Sequence, residues 1–171
     1  MYTNSIPSSL EGFSAVFLSF GNLGQNFDAG TFPEYDEGEA IVNYLETGGC
    51  VYLESGSLFG AMEFIGYPNT QEFRQIFGVQ SVQNYFQSPN PINNLSGATG
   101  TITDGMNFNS SHQTNNWYID KYYANGQGSI AFSESGYGDV AVQGEGVFGQ
   151  KTFVFAYSLA DLVDNESPST R

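Results

Sequence analysis

The stretch Phe13–Glu54, FSAVFLSFGNLGQNFDAGTFPEYDEGEAIVNYLETGGCVYLE, decides the fold class. It reads as strand, long loop, helix, glycine pair and strand. Ala15–Phe20 is apolar except for Ser19, as expected of a strand covered on both faces, and Gly21 and Gly24 end it. Asp36 and Glu39 stand in capping-box spacing, and the acids at positions 36, 37 and 39 suit the positive end of a helix dipole, so a helix is predicted from Asp36. Ile41, Tyr44 and Leu45 then recur at helical spacing. Gly48 and Gly49 supply a left-handed stop before Val51–Leu53 resume a strand. Two strands joined through one helix make a parallel crossover, whose ligand sites lie beyond the carboxyl ends of the strands.

Working outward, Leu58–Gly66 (LFGAMEFIG) predicts a short helical turn, and Asn69 with Glu72 caps a second helix carrying Phe73, Ile76 and Phe77. From Val79 to Tyr118 the chain is rich in Asn, Gln, Ser and Gly, which predicts long loops and short edge strands, with Thr99–Thr103 the best strand candidate. SIAFSES, DVAVQGEG and KTFVFAYS are three strand-like runs between Gly-rich turns, an antiparallel meander that makes the sheet mixed. Ser158–Val163 predicts a short closing helix, with Ser158 and Asp161 in capping-box spacing. No internal repeat or interdomain linker interrupts the 171 residues, which fit one domain.

Charge narrows the partners. Four Lys and Arg stand against 18 Asp and Glu, a formal net charge of -14, so nucleic acid and anionic membrane surfaces are repelled. With hydrophobic residues at 40% and aromatics at 16%, the chain has ample material for a core. A single Cys cannot form an intrachain disulfide, and Cys50, at the mouth of a strand in an apolar run, reads as a buried structural thiol. MYTNSIPSSL lacks a basic n-region and the apolar runs fall well short of a span, so neither a signal peptide nor membrane insertion is expected.

In their order along the chain, YLETGGCVYLESG, FRQIFGV, GTITDGM and GQKTFVFAYSLADL resemble the class I glutamine amidotransferase-like superfamily, over about Leu10 to Arg171. More narrowly, the chain resembles the α/β modules of large secreted or cell-surface bacterial proteins, with trehalose-utilisation (ThuA-like) domains as distant kin. The resemblance implies a three-layer, flavodoxin- or amidotransferase-like α/β fold with a mixed sheet, an extracellular or cell-surface location, other domains of the same larger protein as partners, and a domain truncated at both ends. Catalytic members carry a Cys in the turn after the strand matching Val51–Leu53; here the turn reads Glu54, Ser55, Gly56 and Ser57, and the late His partner is missing. Glutamine hydrolysis is therefore not expected.

Two function classes stand side by side. The first is a non-catalytic structural or ligand-recognition module without cofactor or metal. The second is a serine hydrolase in which Ser57 or Ser55 is the nucleophile, His112, the only imidazole, the base, and Glu54 the orienter or acid. Ser-Gly-Ser after a strand also serves as a plain tight turn, and the spacing is not that of a Gly-x-Ser-x-Gly elbow. Candidate ligand contacts are Asn22 and Gln25 in and after GNLG, with Glu54 and Ser57 at the elbow. Trp117 in WYIDKYY is a sugar-stacking candidate, although the alternation there fits an ordinary half-buried strand better. Glu54, Asp28, Glu34 and Asp36 form a cation-site candidate without a D-x-D-x-D-G loop to support it.

Overall fold

The computed structural model describes residues 6–21, 35–86, 90–112 and 118–170. Its crossover unit is β1 (Val16–Ser19), α1 (Tyr35–Glu46) and β2 (Cys50–Glu54), with β1 and β2 parallel and Leu18 opposite Leu53. The helix starts at Tyr35, one residue ahead of the expected Asp36. Ile41, Tyr44 and Leu45 are buried as their spacing requires, and Gly48 takes a left-handed φ of 88°.

Next come α2 (Leu58–Ile65), a full helix rather than a turn, and α3 (Thr70–Ile76). Asn69 precedes α3 in the left-handed region but makes no side-chain cap bond. The strands that follow are β3 (Val79–Phe86), β4 (Asn94–Gly97), β5 (Asn107–Ser110), β6 (Tyr118–Ala124), β7 (Gly128–Glu134), β8 (Gly138–Glu145), β9 (Lys151–Phe155) and β10 (Leu162–Val163). Eight of them form one mixed sheet in the order β1-β2-β9-β8-β7-β4-β5-β10, while β3 and β6 pair antiparallel as a second sheet. The predicted meander is β7-β8-β9, and β9 returns to lie parallel to β2.

The molecule is thus mixed α/β but strand-rich. α3 touches α1 and α2, so the helices make one contiguous layer; α2 and α3 lie on β3, and β6 packs on β7 and β8. A second helical layer, which a flavodoxin-like three-layer arrangement needs, is not seen among the described residues. Instead Phe17, Tyr52 and Phe153 form a cross-strand ladder on the other face, with Tyr52 stacked 5.8 Å from Phe153. Phe17 is 78% exposed. The expectation that β1 is covered on both faces fails for that reason: β1 is the sheet's edge strand and buries only the Leu18 side.

Three further expectations fall to hydrogen bonding, local in the first case and between distant strands in the other two. Thr99–Thr103 is a turn between β4 and β5: Thr101 Oγ1 donates to the Ala98 carbonyl (2.7 Å) and the Gly100 N–H to Asp104 Oδ2 (3.0 Å), satisfying backbone groups that a ladder would otherwise need. Val79–Phe86 is a strand of eight residues, not a loop or short edge. Ser158–Val163 holds only a 3-10 turn, Leu159–Asp161, because β10 pairs with β5 straight after it and Ser158 makes no side-chain cap bond.

The two sheets meet through glycines. A Cβ on Gly128 would stand 2.1 Å from the Gly78 carbonyl oxygen, and one on Gly144 would stand 3.0 Å from the Phe77 oxygen. Gly128→Ala is therefore expected to lower stability by about 3 kcal/mol through forced separation of the layers. Gly38→Ala, in α1 with open space around it, should raise stability by about 0.5–1 kcal/mol. Urea denaturation of the two variants checks both signs, and a neutral Gly128→Ala would contradict the packing described.

Candidate functional site

The turn after β2 has the strand-turn-helix form of a nucleophile elbow, but its contents are sealed. Ser55 and Ser57 are 1% and 0% exposed. The Ser55 N–H donates to the Phe155 carbonyl (3.0 Å), prolonging the β2–β9 pairing, and its hydroxyl faces the Gly21 carbonyl at 3.5 Å. Ser57 occupies the N-cap of α2 without capping it, and its Oγ is buried without a hydrogen-bond partner. The cap comes from β6 instead. Asp120, fully buried, accepts the Gly60 N–H on Oδ2 (3.0 Å), and the Phe59 amide also bonds it, while its own N–H donates to the Gly56 carbonyl (2.7 Å). A carboxylate at a helix N-terminus satisfies amides the helix leaves free and matches its dipole.

His112 lies just past β5, on the same edge of the sheet as the elbow but with β9, β8, β7 and β4 between their strands. It is exposed, sits at φ 53°, and its N–H donates to Ser110 Oγ (3.2 Å). No hydrogen bond among the described residues joins it to Ser55 or Ser57. Glu54 does not orient it either. Its Oε2 accepts from the Tyr52 hydroxyl (2.9 Å) and the Leu159 N–H (2.9 Å), and its Oε1 faces Ser19 Oγ at 3.5 Å, so the carboxylate ties β1, β2 and the segment after β9 together. Burial and the neighbouring carboxylate push the Tyr52 hydroxyl well above its ordinary value, which keeps it a donor. The structure therefore does not bring the serine, histidine and glutamate candidates together. Asn22, Gln25, Asp28, Glu34 and Trp117 lie outside the described residues, as does the side chain of Asp36. Among the described residues no group of three or more His, Cys, Asp and Glu could hold a metal ion, and no helix is long and apolar enough to cross a membrane. Cys50 is half-buried rather than buried.

The opposite edge, at the amino ends of β2 and β9, carries a shallow, open cleft of about 430 Å³. Its walls are the end of α3 (Gln75, Ile76), Gln80 of β3, the β6–β7 turn (Asn125–Gln127) and the β8–β9 turn (Val147, Phe148, Gln150). The walls are rigidly made. Asn125 Nδ2 donates to the Gln75 carbonyl (2.9 Å), tying its turn to the open end of α3, and Asn125 Oδ1 accepts the Gln127 N–H (2.8 Å) as an Asx-turn. Gln150 is buried and accepts the Phe148 N–H on Oε1 (3.0 Å), and the Gly149 N–H closes the turn on the Gly146 carbonyl (3.0 Å). Gln80 is the extra residue of a β-bulge between Val79 and Ser81, a device that re-aims a side chain. Every polar lining residue is a carboxamide; none is charged.

The sequence reading did not find this cleft. The signal was Val147–Phe148 between Gly146 and Gly149, two apolar residues at the tip of a tight turn where polar ones are usual. A smaller hollow of about 280 Å³ between α1 and the α2–α3 pair is mainly apolar, lined by Val42, Met62, Tyr67 and Phe73 with Glu39 and Glu72.

The chain matches no protein-family model, no curated protein and no solved structure.

Burial of Asp120 lifts its pKa to about 7 from 3.8, against smaller opposing effects of the Phe59 and Gly60 amides and the Arg74 guanidinium. Arg74, itself buried, is in contact with Glu63, and Tyr122 beside Asp120 is buried without a hydroxyl partner. A folded-state pKa above the unfolded one means that the folded protein holds the proton more tightly. Stability from this group is complete below about pH 4 and is lost as pH rises through about 7, on the order of a few kcal/mol. Asp120→Asn should flatten the stability profile across that window in urea titrations at successive pH values; an unchanged slope would contradict the assignment.

Proposed function

We propose that this chain is a non-catalytic ligand-recognition module whose binding surface is the carboxamide-lined cleft at the amino edge of the parallel strands. The observation that carries the reading is the cleft itself. Its polar lining is neutral in a chain of net charge -14, and its two turns are fixed by their own side chains before any ligand arrives. Binding then costs little ordering, which is the condition for useful affinity from a shallow site.

The resemblance of YLETGGCVYLESG and the later segments to class I glutamine amidotransferase-like modules supports the same reading. Such modules belong to large secreted or cell-surface bacterial proteins, and here the thiol of the elbow is replaced by Glu-Ser-Gly-Ser. On this proposal the elbow is a retained scaffold: its serines close the β2–β9 seam and the start of α2, and Asp120 serves the helix rather than a substrate. The chain works beside other domains of a larger extracellular protein, contributing attachment and not turnover.

Two measurements test this. Nitrophenyl esters, simple amides and glutamine should show background hydrolysis only, unchanged by Ser57→Ala, Ser55→Ala or His112→Ala; turnover that vanishes in Ser57→Ala or His112→Ala would favour the serine hydrolase. In a screen of small neutral polar fragments, hits should move the side-chain NH2 resonances of Gln75, Gln80 and Gln127. Hits that scatter over the surface, or none, would remove the cleft as the binding site.

A further inference from the structure

Resting on that reading of the cleft, we infer that its ligand is a neutral saccharide, with Phe148 as the stacking face and the carboxamides as the readers of hydroxyl groups. The chemistry of the walls disfavours three other small-ligand classes. An anion finds no Lys or Arg in the lining, and a net charge of -14 opposes its approach. A hard cation finds no carboxylate there. A wholly apolar ligand would strip water from Gln75, Gln80 and Gln127 and return no hydrogen bond, at about 1–3 kcal/mol for each group left unmade.

A sugar meets all of these demands. Each hydroxyl both donates and accepts, and a carboxamide presents an acceptor oxygen beside a donor nitrogen, so one Gln side chain serves two neighbouring hydroxyls. The C–H face of a pyranose needs a flat apolar partner. Phe148 is 53% exposed and Val147 79%, held at the tip of the β8–β9 turn by the Gly149-to-Gly146 bond and by Gln150. Their position beside the cleft gives it a flat apolar face next to its polar lining. The site is also built for rigidity at its base. A Cβ on Gly146 would stand 1.9 Å from Gln150 Nε2, so the glycine lets the Gln150 carboxamide lie close against the turn that carries Phe148. A peptide would instead be held by main-chain ladder bonds along a strand edge, whereas these walls are two turns, a helix end and one bulged residue.

The test is a titration of the whole chain, followed by backbone and side-chain amide resonances, with neutral hexasaccharides of glucose, xylose and mannose at millimolar concentration. At least one should shift Gln80, Gln127 and Phe148 together. Phe148→Ala should weaken that binding about tenfold, and Phe148→Tyr should preserve it. Phe17→Ala, which removes the exposed aromatic of the opposite face, should leave it unchanged. The inference is overturned if no hexasaccharide shifts these residues, if the shifts gather on Phe17 and Tyr52, or if Phe148→Ala binds like the parent chain. A neutral alanine-rich peptide is titrated in parallel. If it or the small fragments shift the cleft while saccharides do not, the cleft remains a recognition site and the saccharide assignment falls.

Discussion

The parallel pairing of β2 with β9 is the constraint on which the rest of the structure depends. It joins Cys50–Glu54 to Lys151–Phe155, about a hundred residues apart, so it closes the largest loop in the sheet and has to be compensated by burial. Leu53 opposite Val154 supplies that burial on the helix side, and Tyr52 stacked on Phe153 covers the other side. To one side of the seam lies the crossover unit; to the other, every neighbour is antiparallel. The Ser55 N–H and the Glu54 carboxylate extend the seam past the strand ends.

The two edges of the sheet consequently have different fates. At the carboxyl edge, where open α/β sheets usually bind ligands, polar groups hold the chain together: Glu54 ties β1, β2 and the segment after β9, and Asp120 caps the first turn of α2. The amino edge has no such duty. Its turns are secured by carboxamides that face partly inward, leaving Gln80, Gln127 and Phe148 free to meet solvent or a ligand.

Much of this architecture was legible in the residues. The crossover followed from local signals, the apolar run ending at Phe20, the Ile41–Leu45 stripe and Gly48, and the meander followed from alternation bounded by glycines. What could not be read was set by distant partners. Nothing near Phe17 tells that β1 lies at an edge, because that depends on which strand β9 joins. Asp120 looks like the solvent side of an alternating strand; only the packing of β6 over α2 buries it. Thr99–Thr103 has strand propensity, and hydroxyl-to-backbone bonds overrode it. The cleft escaped for the same reason: Gln75, Gln80, Gln127 and Gln150 come from four separate elements, and Gln is unremarkable in each.

The bulge at Gln80 separates two roles that strands ordinarily combine. In a regular ladder every residue belongs to the pairing pattern, and a change of side chain is felt across the sheet. Gln80 stands outside that pattern, between Val79 opposite Ala124 and Ser81 opposite Tyr123. Val147 and Phe148 stand outside it as well, at a turn tip. Substitution can therefore explore the wall of the cleft at these positions without disturbing register, and a lineage of such chains can change what it holds while keeping how it folds.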